Sequence, residues 1–142
     1  MDKKEALKIV QADGLELEDL PDHFKKDKEI VLEAVKNDGG ALYHADDNLK
    51  KDRKFILEAV KQNGSALEYA IVGDDVSFTK DQEIVLEAVK HYGSCLEYAD
   101  NSLKKNKEFI LEAVKLDGSA LEYADNSLKK DPDILAIVNK DK

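Results

Sequence analysis

A glycine recurs at nearly constant spacing along this 142-residue chain, and each copy lies within the same short sequence. The equivalent glycines are separated by 25, 25, 29 and 25 residues, at Gly14, Gly39, Gly64, Gly93 and Gly118. A fixed period of this length is typical of repeat architectures, in which each unit is one small supersecondary structure. We therefore divide the chain into repeats near 1–26, 27–51, 52–80, 81–105 and 106–130, with a C-terminal cap at 131–142.

The residues before each glycine predict a long helix. An Asp or Asn precedes each apolar run as a candidate N-cap, at Asp27, Asp52, Asp81, Asn106 and Asp131. The apolar residues that begin at Ile30 cover an arc of about 200°, which suits a helix packed between two neighbours. We predict long helices near 28–38, 53–63, 82–92 and 107–117, each closed by its glycine in the left-handed conformation.

The residues after each glycine predict a short helix. A serine with a glutamate three residues later forms a candidate capping box at Ser65/Glu68, Ser94/Glu97 and Ser119/Glu122. A turn or a single helical turn is expected afterwards, at 47–51, 100–105 and 125–130. The predicted fold is all-α: a small α-solenoid of about five helix-pair repeats of 25 residues, long helix plus short helix, with a closing C-terminal helix. The handedness of the stack stays open.

The third repeat contains four extra residues between Ala70 and Asp81. By its distance from the next N-cap, Phe78 takes the place that Leu49 and Leu103 hold in other repeats. The longer loop could pack down locally or project from one face of the array. In the second case its residues would be candidates for contact with a partner: Ile71, Val72, Asp74, Asp75 and Val76.

The repeat pattern resembles a known family. The sequence Glu-Ile-Val-Leu-Glu-Ala-Val-Lys occurs at 29–36 and again at 83–90, and Ala-Leu-Glu-Tyr-Ala follows the glycine in other repeats. Over residues 28–131 this pattern is similar to the helical repeats catalogued as domain of unknown function 4116. The resemblance implies tandem helical arrays of the kind present in large, often multidomain microbial and algal proteins, some resembling secreted effectors. It implies no catalytic residue.

Charge argues against two classes of partner. The chain has 22 Lys and Arg against 31 Asp and Glu, a net charge of -9, which disfavours non-specific binding to nucleic acids or anionic membranes. Residues 1–14 lack the apolar region of a signal peptide, and no apolar run approaches bilayer-spanning length. We expect a soluble cytoplasmic protein, with an unconventional secretion route left open. The single cysteine, Cys95, is compatible with a reducing compartment.

The sequence offers no recurring catalytic or metal-binding group. His23, His44 and His91 lie at different repeat positions, so no metal-ligand spacing appears. Cys95 stands where other repeats have alanine, which indicates a small core residue. The pair Asp74-Asp75 lacks the alternating ligands of a calcium loop. We expect no enzyme activity, no cofactor and no metal.

Two rows of side chains are candidates for a binding surface. Tyrosines at Tyr43, Tyr69, Tyr98 and Tyr123 are predicted to form a ladder, which either packs between repeats or offers an aromatic ridge to a partner. Lysines also recur before each N-cap, where a solvated edge is the simpler interpretation. The lysine row comprises Lys25, Lys26, Lys50, Lys51, Lys80, Lys104, Lys105, Lys129 and Lys130.

We therefore predict a non-enzymatic module that binds another protein through its solenoid surface. The main alternative is an acidic inhibitor, or nucleic-acid mimic, that occupies a basic groove of a nucleic-acid-binding protein. Direct nucleic-acid binding through the lysine edge is a third hypothesis, which the net charge disfavours.

Overall fold

The computed structural model describes residues 1–70, 72 and 75–140, and confirms an all-α repeat array. The longer helices are α1 Lys3–Ala12, α3 Lys28–Asn37, α5 Arg53–Gln62, α6 Gln82–His91, α8 Lys107–Leu116 and α9 Pro132–Lys140. Three short α-helices are α2 Asp22–Lys25, α4 Asp47–Lys50 and α7 Asn101–Lys104. Short 3-10 helices are Gly14–Asp19, Gly39–His44, Gly64–Tyr69, Ser77–Lys80, Gly93–Tyr98, Gly118–Tyr123 and Asn126–Leu128. No helix in the described part of the chain is long and apolar enough to cross a membrane.

The predicted N-caps are confirmed. The carboxylate of Asp27 accepts hydrogen bonds from the backbone amides of Glu29 and Ile30, and Asp52, Asp81, Asn106 and Asp131 cap their helices in the same way. Each long helix ends one residue earlier than predicted. The residue before the glycine has extended backbone angles, as at Asp38 (φ -149°, ψ 116°), because it also starts the 3-10 helix that follows.

The predicted capping box is wrong. Except at Tyr92 in the fourth repeat, the side chain that caps the 3-10 helix belongs to the residue before the glycine: Asn63 Oδ1 accepts from the Ser65 amide at 3.1 Å. The serine hydroxyl donates to the same oxygen at 2.7 Å. Since the 3-10 helix already begins at the glycine, the serine lies inside it, where its hydroxyl supports the cap residue.

The left-handed conformation predicted for the repeat glycines is also wrong, since no described glycine has a φ in the positive region. Close approach between repeats explains the glycine instead. A Cβ atom on Gly64 would lie 2.7 Å from the Ala88 carbonyl oxygen in the next long helix. At Gly118, in the last full repeat, a Cβ atom would meet only the Val138 side chain, at 3.8 Å.

The core is continuous along the array. Each internal long helix buries the same four positions on two successive turns. In α3 these are Ile30, Val31, Ala34 and Val35, and α5, α6 and α8 bury the equivalent residues. The leucine of each 3-10 helix packs with them, as Leu67 does. These positions lie on two sides of the helix, so each repeat is covered by the repeats before and after it. This confirms the wide apolar arc.

The four extra residues of the third repeat can now be placed. Asp75 accepts a hydrogen bond from the Ser77 amide, just as Asp100 accepts from the Ser102 amide, so Asp75 already belongs to the regular repeat. The insertion is therefore 71–74. Val72 and Asp75 exchange two backbone hydrogen bonds. Phe78 packs half-buried against the core.

Candidate functional site

Successive long helices are joined at their N-terminal ends by ion pairs. The first residue of one helix reaches the N-cap aspartate of the next: Lys3 Nζ lies 3.1 Å from Asp27 Oδ2, and Lys107 Nζ lies 3.1 Å from Asp131 Oδ2. Arg53 makes the closest pair, with Nε 2.6 Å from Asp81 Oδ2. Hydrogen bonding from Arg53 lowers the pKa of the Asp81 carboxyl below its ordinary value. The longest of these distances, 3.8 Å, separates Lys28 Nζ from Asp52 Oδ2.

A second contact joins the C-terminal ends of some neighbouring helices. In α3, Asn37 Nδ2 donates to the Gln11 carbonyl oxygen of α1 at 3.2 Å. In α6, His91 occupies the same position in the repeat, and its Nε2 lies 2.7 Å from the Lys61 carbonyl oxygen of α5. Because a carbonyl oxygen only accepts, this ring nitrogen carries a proton. We call each pair of successive long helices a step. The α1–α3 and α5–α6 steps are thus fastened by polar contacts at both ends of the helices.

The step from α6 to α8 has neither contact. At the N-terminal end the pair is replaced by Gln82 and Asn106, both uncharged, and the Asn106 side chain only caps its own helix. At the C-terminal end Leu116 takes the position of Asn37 and His91, and an aliphatic side chain cannot bond a carbonyl group. The two repeats are still linked just after the C-terminal ends of these helices, where Asp117 Oδ2 accepts a hydrogen bond from the Gly93 amide at 2.8 Å.

A groove of about 550 Å³ lies between α6 and α8 at this step. Leu86 and Leu116 give it an apolar surface, and Leu116 is 44% exposed although it is a large aliphatic residue. The remaining lining side chains are charged: Glu83, Glu87, Lys90, Glu112 and Lys115. A smaller groove at the α1–α3 step is lined by polar residues only, so the apolar surface belongs to the α6–α8 step.

Charge is divided along the groove. Glu87 and Glu112 lie at equivalent positions in the two parallel helices, and Lys90 and Lys115 lie one turn closer to the C-terminal ends. Glu87 is paired with Lys90 at 2.9 Å within α6. Among the described residues, Glu112 and Lys115 make no ion pair. One half of the groove is therefore acidic and the other basic.

The tyrosine ladder exists with a different membership. Tyr69, Tyr98 and Tyr123 end their 3-10 helices, and all three are half-buried against the core. The assignment of Tyr43 to this row is wrong, because His44 ends the corresponding helix Gly39–His44. Tyr43 is 63% exposed and occupies the position of Glu68. The second repeat has Tyr-His where the third has Glu-Tyr, so its tyrosine lies one residue earlier in the 3-10 helix.

Ladder residues face the preceding repeat. Burial of Tyr98, and then the negative charge of Glu68 from the repeat before it, raise the pKa of Tyr98 to about 12. His44 faces Glu18 in the equivalent way, with 4.0 Å between Nε2 and Oε2. The half-buried tyrosines therefore contribute to packing between repeats. Of the four tyrosines predicted to form the ladder, Tyr43 alone is mostly exposed; Tyr92, outside the ladder, is 59% exposed as well.

The described residues among those predicted for partner contact at 71–76 do not contribute to the groove. Asp75 and Val76 are exposed, with Val76 at 38%, and Val72 is half-buried. None of these three lines the groove between α6 and α8. Ile71 and Asp74 lie outside the described residues. The predicted role of this loop in partner binding stays a prediction.

The lysine row separates into two kinds of side chain. Lys50 and Lys104 fold back on their own repeats, with Nζ donating to the Tyr43 carbonyl at 2.9 Å and to the Glu97 carbonyl at 2.8 Å. The outer lysines, those directly before each N-cap, are exposed. Hydrogen bonds from Ser77, Ser102 and Ser127 lower the pKa of Asp75, Asp100 and Asp125, and the charges of Lys51, Lys80 and Lys105 in the preceding repeats lower it a little further. The outer lysines thus alternate with carboxylates.

Reactive side chains are scattered. Within the described residues no group of three His, Cys, Asp or Glu side chains is arranged to hold a metal ion. Burial, and then the charge of Glu68, raise the pKa of the Cys95 thiol to about 11, which keeps it protonated at neutral pH. The interpretation of Cys95 as a core residue agrees with its burial.

Sequence reasoning missed Leu86, Leu116 and the groove that they line. The signal was present in the columns of the repeat. Gln82 and Asn106 replace a charged pair together, and Leu116 replaces a polar residue at the end of the long helix. Three departures in one pair of repeats would have indicated a specialised interface.

Comparison with known families places the chain. The model of the family described as Domain of unknown function (DUF4116) matches at residues 2–49, 27–71, 81–129 and 106–137, overlapping along most of the sequence. No curated protein and no solved structure matches the chain. The overlapping matches have the same period as the helical repeats. The chain therefore belongs to the DUF4116 family.

Proposed function

We propose that this protein is a non-enzymatic repeat module that binds another protein through the groove between α6 and α8. The observation that carries the proposal is the joint loss of both polar contacts at this step. Gln82 and Asn106 stand in place of an ion pair, and Leu116 stands in place of a hydrogen-bonding residue. An exposed leucine at a position used elsewhere for fastening repeats supports a binding role.

The groove offers a modest but specific contact. Covering the exposed part of Leu116 with apolar atoms of a partner would contribute about 1 to 2 kcal/mol, at about 25 cal/mol per Å². Leu86, half-buried on the facing helix, supplies the other apolar wall. The charged side chains around the two leucines form a polar rim, the arrangement usual in protein interfaces.

The test is affinity capture from the source cells with two matched variants. Leu116→Asn removes the apolar side chain while copying Asn37 at the equivalent position of α3. Leu15→Asn is the control, since Leu15 is also 44% exposed but does not line the groove. We expect Leu116→Asn to lose a protein that the parent chain and Leu15→Asn retain. Identical captured proteins for all three would refute the proposal.

A second candidate is the acidic inhibitor or nucleic-acid mimic. The net charge of -9 and a row of exposed glutamates on the 3-10 helices, Glu18, Glu68, Glu97 and Glu122, favour it. Such binding would weaken steeply with salt, because exposed charges are screened over about 8 Å at physiological ionic strength. Capture at low and high salt separates the two candidates: a basic partner lost at high salt from the parent chain and from Leu116→Asn alike supports the mimic.

A further inference from the structure

Building on the proposed function, we infer that the groove binds one amphipathic helix whose basic residues lie at one end and whose acidic residues lie at the other. The apolar stripe of this helix would cover Leu86 and Leu116. The argument rests on the shape of the groove and on the arrangement of charge along it.

Shape favours a helix over a flat surface. The two walls are parallel helices of 10 residues, each about 15 Å long at 1.5 Å per residue. A partner helix of three turns has the same length, and its apolar side chains at i, i+3 or i+4 follow the line between two helices. The apolar floor is narrow, since two leucines provide it between charged rims.

Charge gives the partner helix its polarity. Glu112 and Lys115 lie one helical turn apart on α8, and neither makes an ion pair among the described residues. Glu83 and Glu87 on α6 add to the acidic half, although Arg53 and Lys90 hold one carboxylate oxygen of each. Lys or Arg residues on the partner would therefore face Glu112, and Asp or Glu residues would face Lys115.

The test uses a displayed library of 16-residue amphipathic helices selected on the intact chain. All members carry the same leucine stripe, and the flanking positions are randomised among Lys, Glu and Ser. We expect enriched helices to place Lys at one end and Glu at the other. Their affinity should fall about tenfold on Leu116→Asn and change little on Leu15→Asn.

Charge reversal tests the polarity directly. In the double variant Glu112→Lys with Lys115→Glu, the composition of α8 stays the same while the two unpaired charges exchange places. We expect the selected helices to bind this variant about threefold to tenfold more weakly, because two exposed ion pairs become repulsive. Equal affinity for the parent chain and the double variant would overturn the inference, as would enrichment of helices without charge separation.

Failure of this inference differs from failure of the proposed function. If Leu116→Asn loses its partner in affinity capture while no library helix is enriched, the module binds protein by another geometry and the helix inference falls. The alternative occupant of the groove is another copy of this chain, and sedimentation of the purified protein tests for it. Self-association abolished by Leu116→Asn would show that the groove is used between copies, and would also overturn the inference.

Discussion

The α5–α6 and α6–α8 steps join helices of the same length and nearly the same sequence, yet one is fastened at both ends and the other at neither. At the first, Arg53 binds Asp81 and Glu83, and His91 meets the Lys61 carbonyl. At the second, Gln82 and Asn106 leave the N-terminal end uncharged, and Leu116 leaves an apolar groove at the C-terminal end.

This difference shows how a repeat array acquires a distinct surface while the same core positions stay buried. Ile84, Val85, Ala88 and Val89 in α6 match the four buried positions of α5 and α8, although Ile84 and Val85 stand where both of those helices have Phe and Ile. The substitutions that remove the polar contacts between repeats lie at the helix ends. Because such residues contribute little to folding compared with the core, they can change to provide a binding site at small cost in stability.

The largest expected effect comes from filling the space between repeats at the fastened step. Gly64→Ala would press a methyl group against the Ala88 carbonyl and should cost about 2 kcal/mol of unfolding free energy. Gly118→Ala is the matched control, because its methyl group would meet only Val138 at 3.8 Å and should change stability by less than about 0.5 kcal/mol. Urea denaturation measures both, and equal losses would contradict the close-approach explanation.

A smaller, pH-dependent effect should separate the two N-terminal ends. Arg53 lowers the pKa of Asp81 in the folded state, so the ionised carboxylate stabilises the fold above the ordinary pKa of 3.8. That contribution is lost as the pH falls through the lowered pKa. Asp81→Asn keeps a cap oxygen, as Asn106 does naturally, and removes the charge.

We therefore expect Asp81→Asn to be less stable than the parent chain at pH 6, with the difference shrinking as the pH falls below about 4. Urea unfolding at pH 6, 4.5 and 3 checks this. Asn106→Ala serves as the control: it removes a cap without removing a charge, so its loss of about 1 kcal/mol should not follow the same pH profile. A constant difference for Asp81→Asn would exclude the ion pair as the cause.

Installing the missing pair should have a smaller effect still. The double variant Gln82→Lys with Asn106→Asp recreates at the α6–α8 step the pair that joins Lys107 to Asp131. We expect a gain of about 0.5 kcal/mol that declines as salt is added. Thermal unfolding in low and high salt measures it, and Gln82→Lys alone should show no comparable gain.

The smallest expected change in stability belongs to Leu116→Asn. Leu116 is 44% exposed, so only part of its apolar area is buried, and the new amide can offset the loss of that area by donating to the Lys90 carbonyl as Asn37 does to Gln11. We expect stability within about 0.5 kcal/mol of the parent chain, measured by urea unfolding. A loss above about 2 kcal/mol would mean that Leu116 supports the core and that the groove is not a spare surface.

Much of the fold followed from the sequence, because helix caps and apolar periodicity are local. Asp27, Asp52 and Asp131 marked the helix starts as N-caps within their own chain segments. The role of the glycines could not be read in this way, since the obstacle to a side chain at Gly64 is the carbonyl group of Ala88, 24 residues away. Local signals predict a left-handed cap there, and packing between repeats overrules them.

The candidate site was harder to predict for a related reason. The sequence predicted a binding ridge of tyrosines because tyrosine is common in interfaces. In the structure, Tyr69, Tyr98 and Tyr123 pack half-buried against the core of the array. The groove depends on contacts that are absent at one step and present at others, and a missing contact becomes visible only when the repeats are compared position by position. Gln82 and Leu116 carry no unusual chemistry of their own.

The N-cap aspartates also bear on how such arrays can lengthen. Asp27 and Asp131 each cap their own helix and receive a lysine from the helix before, so one residue serves both the unit and its junction. A duplicated unit of 25 residues would carry both halves of the contact. Its N-cap aspartate would accept the lysine of the preceding helix, and the lysine that begins its own helix would reach the N-cap aspartate of the next. Gene duplication can therefore extend or shorten the array without a new interface having to evolve at each junction, and a specialised step such as α6–α8 can arise afterwards by a few substitutions in one copy.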